Sequence, residues 1–342
     1  MSDQYHFNPL SQPSPIALKE LELLLNANGL RLEAGLSQFI EARFQGKLVG
    51  CAGLDGNVIK CVAIDQCHRG GALSLRLLTE AMNLAYRQGV DRLFLYTKPD
   101  NAPLFEGAGF TTLATVPERV TLMESDPCGL ANYCDELAKL RRPGKIIGSI
   151  VMNANPFTLG HLYLVSRALE RCDWLHLFVV KQDASRFAYA DRLRLIRAGI
   201  QGLERITLHP GSDYTISKAT FPSYFLKEQG LVDECATALD LLLFRQSIAP
   251  ALGINVRFVG TEPFDPVTAK YNRDMEYWLS QVESFSPDVR VVELPRVEVD
   301  GAPVSASRVR KLLDEGNMDA VARLVPQATF DFLLNQQVNQ RG

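Results

Sequence analysis

The chain has 342 residues, of which 46% are hydrophobic and 22% charged, and its 36 Lys plus Arg against 39 Asp plus Glu give a formal net charge of −3. This length predicts about two domains, and the apolar fraction excludes a mainly disordered chain. The near-neutral balance supplies no global field for a nucleic-acid backbone or an anionic membrane, so we expect neither as a partner.

The sequence carries no obvious targeting or membrane-spanning segment. Its start, MSDQYHFNPL, lacks a basic stretch followed by an apolar core, and no apolar run approaches the ~18 residues of a membrane helix. The cysteines form no C-x-x-C pair and have no histidine partner at zinc-like spacing. We therefore expect a cytoplasmic protein without a structural metal.

Residues 1–124 are predicted to mix strands and helices. The apolar runs GKLVGCAGL and VIKCVAI lie on either side of Asp55-Gly56-Asn57, and such a turn is typical of an antiparallel hairpin. The run CHRGGA then leads into a helix with leucines at helical spacing, and the strand RLFLYT follows. This pattern predicts an α+β domain.

Strand patterning stops between Ser125 and Lys145. The run SDPCGLANYCDELAKL predicts one short helix, and RRPGK is a charged Pro-Gly connector. We therefore expect a linker helix over 125–144 and a second domain over 145–342.

The second domain alternates strands with helices. Its strand-like runs are KIIGSIVM, WLHLFVV, RITLHP, NVRFVG and VRVVEL, and the segments between them have helical periodicity, as in Leu162, Val165 and Leu169. Apolar strands separated by amphipathic helices predict a parallel sheet covered on both faces, a Rossmann-like arrangement. Such sheets bind ligands beyond the carboxyl ends of their strands.

The segment after the first strand of that sheet is the best candidate for an anion site. A turn rich in Asn and Pro ends near Gly160, where a helix begins. Helix N-termini offer unpaired N–H groups and partial positive charge, and a glycine there would let a phosphate approach the backbone. We expect Thr158 and His161 to direct a hydroxyl and an imidazole at one anion. The alternative is an ordinary capped helix with an incidental histidine.

A second anion-binding pattern follows the last strand of the sheet. Ser305 is the predicted N-cap of another helix, and Ser307 and Arg310 would offer a hydroxyl and a guanidinium to phosphate oxygens. Two anion sites at the strand ends of one sheet suit a triphosphate.

These two patterns resemble the signatures of a nucleotidyltransferase superfamily, which reads H/T-x-G-H after the first strand and I-S-S-T-x-(V/I)-R near the end. Here the first is residues 158–161 and the second is residues 304–310. The second departs from the signature, since Ala306 replaces Ser and Ser307 replaces Thr.

Four ordered runs, SIVMNANPFTLGH, DRLRLIRAG, GSDYTISKATFP and FVGTEPFDPVTAKYN, together resemble the citrate lyase ligase family. The resemblance covers most of 145–315. It implies an acid–thiol ligase that uses ATP with Mg²⁺ to adenylate acetate. The acetyl group would pass to the thiol of a CoA-like prosthetic group on the acyl-carrier subunit of citrate lyase, with release of AMP and pyrophosphate.

Candidate roles for individual residues follow in part from the resemblance and, for Lys181, Ser217 and Lys218, from their place in the sequence alone. His161, Thr158 and Lys181 are the candidate catalytic residues, although a lysine at a strand end is alternatively a solvated cap. The candidate ATP-binding residues are Met152, Asn153, Asn155, Pro156, Gly160, His161, Gly260, Glu262, Ser305, Ser307 and Arg310. Glu262 alternatively caps a turn. Ser217 and Lys218 are the candidate acetate contacts, in a stretch that is alternatively a surface helix.

Residues 40–120 resemble the GNAT-type N-acetyltransferase fold. That family's pyrophosphate cradle reads Q/R-x-x-G-x-G/A, and here Cys67 takes the first position while Gly70 and Ala72 keep the rest. We expect this domain to bind the CoA-like arm rather than to acetylate an amine. The candidate thiol-arm contacts are Gly70, Gly71, Ala72 and Asn101.

The expected fold class is thus α/β. An N-terminal acetyltransferase-like α+β domain is followed by a Rossmann-like parallel-sheet nucleotidyltransferase domain with C-terminal helices. Two alternative functions remain open at this point. One is an adenylyltransferase that acts on a phosphorylated metabolite, and the other is an inactive nucleotide-sensing adaptor. The presence of His161, Thr158 and Arg310 argues against an inactive site, whereas Ala306 is compatible with one.

Overall fold

A computed structural model describes residues 5–70, 72–181, 185–215, 221, 229–261, 272–281 and 286–341. The chain divides into two compact units. Unit 1 comprises Met1–Tyr133 and Phe221–Leu239, and unit 2 comprises Cys134–Thr220 and Asp240–Gly342. In the described part of the chain, no helix combines the length and apolar character needed to cross a membrane.

Unit 1 contains a seven-stranded sheet. Its strands are β1 (His6–Ser11), β2 (Gln38–Phe44), β3 (Lys47–Asp55), β4 (Val58–Ile64), β5 (Phe94–Thr97), β6 (Thr111–Val116) and β7 (Val120–Glu124). Its helices are α1 (Pro15–Ala27), α2 (Leu73–Arg87) and α3 (Ala102–Glu106), with 3-10 turns at Gln66–His68 and Pro99–Asn101. Helix α4 (Gly129–Ala138) runs across the boundary between the two units.

The strand order in unit 1 is β1-β2-β3-β4-β5-β7-β6. All neighbours are antiparallel except β4 and β5, which are parallel. The predicted hairpin is confirmed, because Asp55 pairs with Val58 across a two-residue turn in which Gly56 has a φ of +56°. Leu77, Leu78 and Ala81 of α2 are buried and belong to the same hydrophobic core as the central strands.

Unit 2 contains a five-stranded sheet. Its strands are β8 (Ile147–Met152), β9 (Trp174–Val179), β10 (Ile206–His209), β11 (Val256–Gly260) and β12 (Arg290–Leu294), and a separate hairpin consists of β13 (Glu298–Val299) and β14 (Ala302–Pro303). The helices are α5 (Leu159–Leu169), α6 (Tyr189–Gly199), α7 (Gln229–Leu243, which begins within unit 1), α8 (Ala249–Leu252), α9 (Ala306–Asp314), α10 (Met318–Ala322) and α11 (Gln327–Arg341). Two π-helical turns are Phe244–Ile248 and Tyr277–Gln281.

The order of this second sheet is β10-β9-β8-β11-β12, and every pair is parallel. The five strands predicted from apolar runs are all present. The predicted fold class is confirmed, with a mixed sheet in unit 1 and a Rossmann-like parallel sheet in unit 2. After β8 the chain adds β9 and then β10 on one side of this strand, and later adds β11 and β12 on its other side. The direction in which strands are added therefore reverses at β8. This reversal creates a crevice at the carboxyl ends of β8 and β11, where such sheets place ligands.

Candidate functional site

The segment that joins β8 to α5 lies at this carboxyl edge. Met152 ends β8 with its side chain in the hydrophobic core, so only its backbone can face a ligand. Asn155 fixes the middle of the segment, because its Oδ1 accepts the N–H of Phe187 at 3.2 Å. Pro156 follows in a cis peptide bond, and Phe157 is fully buried.

Thr158 and His161 form a reciprocal cap at the start of α5. Thr158 is the N-cap residue, and its Oγ1 accepts the backbone N–H of His161 at 3.4 Å. In return, Nδ1 of His161 accepts the backbone N–H of Thr158 at 3.0 Å and lies 2.9 Å from its Oγ1. Thr158 is fully buried, so its hydroxyl orients His161. This differs from the expected hydroxyl aimed at an anion, because the capping geometry takes the hydroxyl inward.

The protonation of His161 follows from that cap. A backbone amide can only donate, so Nδ1 is the acceptor and the proton of the neutral ring is on Nε2. Burial, with a smaller contribution from the charge of Arg296, lowers the pKa of His161 to about 4. The ring stacks on Phe157 with centroids 5.6 Å apart. At neutral pH His161 therefore offers a rigid, neutral N–H donor.

Gly160 brings the two sequence motifs together. A Cβ on this residue would lie 2.5 Å from the carbonyl oxygen of Val304, the first residue of the second motif. The absence of a side chain therefore allows the start of α5 to pack against the backbone that leads into α9. We expected this glycine to admit a phosphate, but the space beside it is filled by protein backbone.

The second motif is arranged around the N-terminus of α9. Ser305 is its N-cap, as predicted, and its Oγ accepts the N–H of Arg308 at 3.2 Å and lies 3.0 Å from Oγ of Ser307. Nη1 of Arg310 donates to the carbonyl oxygen of Asn155 at 2.6 Å. Arg310 thus links the second motif to the segment that joins β8 to α5.

Arg296 is a cation at this edge that the sequence reasoning missed. It follows β12, its charge contributes to the lowered pKa of His161, and its Nε is 3.6 Å from the position of a Cβ on Gly260. Gly260 ends β11, and its carbonyl oxygen accepts from Nδ2 of Asn272 at 3.3 Å. The only signal in the sequence was an arginine two residues beyond a predicted strand, which many solvated arginines share.

The remaining predicted positions lie either at the edge of the sheet or outside the described residues. Lys181 lies just beyond β9, half-exposed, with its Nζ 3.4 Å from Oδ1 of Asp213. That ion pair is compatible with both interpretations of the lysine. The predicted nucleotide contact Glu262, the acetate contacts Ser217 and Lys218, and the thiol-arm residue Gly71 lie outside the described residues.

A separate cavity of about 480 Å³ lies within unit 1. The β4–β5 ladder is two residue pairs long, Val58 with Phe94 and Ile59 with Leu95, and the cavity opens where the ladder ends. The predicted thiol-arm residues Gly70 and Asn101 line it, whereas Ala72 is the N-cap residue of α2 and is not among the lining residues. The other lining residues include the polar or basic Asn28, His68, Arg69, Ser74, Thr97 and Lys98.

Two buried histidines lie side by side in the unit 2 sheet. Nδ1 of His176 is 2.8 Å from Nε2 of His209, and the His209 ring stacks on Phe178. Burial lowers the pKa of His176 to about 4 and that of His209 to about 3. Within the part of the chain that is described, no group of three His, Cys, Asp or Glu residues is arranged to hold a metal ion.

The fold and site define a Rossmann-like α/β protein in which two helix N-termini meet at the point where strand order reverses. The family model for the citrate lyase ligase C-terminal domain matches residues 147–333. The [citrate [pro-3S]-lyase] ligase of Klebsiella pneumoniae is 54% identical over 314 residues, which cover 92% of each chain. That of Escherichia coli is 49% identical over 318 residues, which cover 93% of this chain and 90% of the relative. The chain belongs to the citrate lyase ligase family, and it is an enzyme of the ligase class.

Among solved structures, Escherichia coli ElaA is 17% identical with a TM-score of 0.33, over 36% of this chain and all of that chain. The family expected from the four sequence runs is confirmed by the curated relatives and the family model.

Proposed function

We propose that the protein adenylates acetate with ATP and transfers the acetyl group to the thiol of a CoA-like prosthetic group on the acyl-carrier subunit of citrate lyase. The observation that carries this proposal is the junction of α5 and α9, where Gly160 packs on Val304. Two helix N-termini at one sheet edge would offer a polyphosphate their partial positive charge and those first-turn N–H groups that are not already bonded in the caps of Thr158 and Ser305. Family membership supplies the reaction class.

Several groups at this junction would hold the triphosphate. Nε2–H of His161 is the proposed donor to the transferring phosphate, and Arg310 and Arg296 would neutralise charge on the departing pyrophosphate. Mg²⁺ would arrive with ATP, because this ion keeps several waters and binds substrate phosphate oxygens. The proposal therefore needs no dedicated set of protein ligands for the metal.

The chemistry follows from positioning and charge stabilisation. In the first step, a carboxylate oxygen of acetate attacks the α-phosphorus of ATP, a new P–O bond forms, and the P–O bond from the α-phosphorus to the oxygen that bridges to the β-phosphate breaks, so that pyrophosphate leaves. In the second step, the thiol loses its proton to solvent, its sulfur attacks the acetyl carbonyl to form the C–S bond of a thioester, the C–O bond to AMP breaks, and AMP leaves. Donors fixed before the reaction stabilise the developing negative charge without reorganising. His161, held by Thr158 and stacked on Phe157, meets that requirement.

The proposed site for the thiol arm is the unit 1 cavity. An extended pantetheine-like chain contains amides that pair well with strand edges, and the short β4–β5 ladder ends beside this cavity. Arg69 and Lys98 line the same cavity and would face the phosphates of the arm. A cytoplasmic setting, in which thiols stay reduced, suits a substrate that presents a thiol.

The test of the proposal is ATP–pyrophosphate exchange with a panel of small carboxylic acids. The expected result is exchange that depends on acetate, together with AMP release that also depends on the carrier thiol. Exchange that does not require an acid, or an AMP conjugate formed without a thiol, would contradict the ligase and favour a plain adenylyltransferase.

A further inference from the structure

We infer that Arg192 is a positioning residue for the nucleotide site, because it orients the side chain of Asn153. The inference rests on the proposed function, since it assumes that ATP binds at the segment joining β8 to α5. Arg192 lies in the first turn of α6 and is 0% exposed. Burying a guanidinium so completely is unfavourable unless its donors are matched by acceptors.

The contacts of Arg192 join three pieces of the sheet edge. Its Nη1 donates to the carbonyl oxygen of Asn153 at 2.8 Å, to Oδ1 of the same residue at 2.7 Å and to the carbonyl oxygen of Val180 at 2.9 Å. Its Nε donates to the carbonyl oxygen of Phe187 at 3.2 Å. One side chain therefore fixes the residues just after β8 and β9 to the segment that enters α6.

This arrangement sets the polarity of the Asn153 amide. A guanidinium has no acceptor, so the amide atom facing it must be the oxygen. The Nδ2 donors of Asn153 then face away from Arg192, and one of them lies 3.2 Å from Oγ of Ser185. An amide that presents N–H groups suits phosphate oxygens, whereas a flipped amide would present its oxygen and repel them.

Helix α6 supports the other end of the same segment as well. A Cβ on Gly199 would overlap the ring of Phe157, the residue on which His161 stacks. Arg192 and Gly199 both lie in the run DRLRLIRAG. That run thus acts through its neighbours, with the arginine orienting Asn153 and the glycine making room for Phe157.

A double-mutant cycle on the full-length protein tests the inference. The variants are Arg192→Met, Asn153→Ala and the double variant, each assayed for KM of ATP and of acetate in pyrophosphate exchange. If Arg192 acts through Asn153, we expect each single variant to raise the KM for ATP by about tenfold, and the double variant to exceed the worse single by less than about threefold. The KM for acetate is expected to change by less than about threefold.

Two further variants sharpen the outcome. Arg194→Met is the matched control, because Arg194 lies on the same helix and makes an exposed ion pair with Asp191, so we expect its KM for ATP to be unchanged. Arg192→Lys keeps the charge but loses the planar fork, so we expect it to remain impaired, and it replaces Arg192→Met in the cycle if that variant does not fold.

Different failures have different meanings. Multiplicative effects in the double variant, or full rescue by lysine, would overturn the positioning role. Absence of acetate-dependent exchange in the unmodified protein would instead overturn the proposed function.

Discussion

Gly160 and Val304 are 144 positions apart in the sequence, yet a Cβ on the glycine would lie 2.5 Å from the carbonyl oxygen of the valine. One residue without a side chain therefore decides how closely the N-termini of α5 and α9 approach each other. Any substitution here forces the two motifs apart.

Gly160→Ala is expected to lower both stability and nucleotide affinity. The added methyl group meets backbone rather than a movable side chain, so we expect a loss of about 1–3 kcal/mol in the free energy of unfolding. We also expect the KM for ATP to rise by about tenfold. Gly107→Ala is the control, because that glycine has a φ of −61° and an added Cβ would meet only ordinary contacts at 3.4 Å and beyond. Equal behaviour of the two variants would contradict the packing role of Gly160.

His161→Ala is expected to lower kcat for acetate-dependent pyrophosphate exchange by ~10²-fold or more, because it removes a fixed donor to the transferring phosphate. The fold should survive, since the Thr158 hydroxyl can still cap α5. Replacing the exposed His6 with Ala provides a histidine control in the other unit. An unchanged rate in His161→Ala would remove this residue from the proposed mechanism.

The buried histidines predict a pH dependence of stability. In the folded protein the pKa of His161 and that of His176 are lowered to about 4, and that of His209 to about 3. In the unfolded chain each histidine has a pKa of about 6.5, so it binds a proton at pH values where the folded histidine stays neutral. The free energy of unfolding is therefore at its full value above about pH 6.5 and falls as the pH drops toward 4, by about 1 kcal/mol per histidine at pH 5.5.

The measurement is the unfolding midpoint at pH 7.5 and pH 5.5, compared between the unmodified protein and His209→Gln. We expect the variant to lose stability at the higher pH but to show a smaller drop on acidification. An equal drop in both proteins would rule out the His176–His209 pair as a source of the acid sensitivity.

The thiol-arm site predicts a separable effect in unit 1. Ser74 lines the cavity from α2, so Ser74→Trp would fill space that the arm needs. We expect the KM for the carrier thiol to rise by about tenfold while acetate-dependent exchange keeps its rate. Thr79→Trp, an exposed position on the same helix, is the size-matched control. If Ser74→Trp leaves the KM for the carrier unchanged, the arm binds elsewhere.

The sheet of unit 2 could be predicted because its signal is local. Each strand is a short apolar run, and each intervening helix repeats its apolar residues every three or four positions. Ser305 as an N-cap was predictable for the same reason, since capping depends on the residue itself and its next turn. The hairpin at Asp55 and Gly56 followed from turn chemistry alone.

The contacts across the site could not be predicted in this way. A side chain is excluded at Gly160 by the backbone carbonyl oxygen of Val304, and the positive charge that acts on His161 comes from Arg296. Both depend on which strand ends become neighbours in the folded sheet. The burial of Arg192 was equally hidden, because an arginine in an amphipathic helix is usually solvated.

The reciprocal cap between Thr158 and His161 links local folding to chemistry. Nδ1 of His161 accepts the backbone N–H of Thr158, and this hydrogen bond places the ring proton on Nε2. The first turn of α5 therefore cannot fray without also releasing the imidazole. Local opening of the first turn of α5 therefore sets the fraction of molecules in which His161 is correctly oriented. Such opening occurs at temperatures well below that of global unfolding. Heating should therefore reduce turnover in parallel with faster hydrogen exchange at the amide of Thr158, at temperatures where the strands of the sheet are still protected.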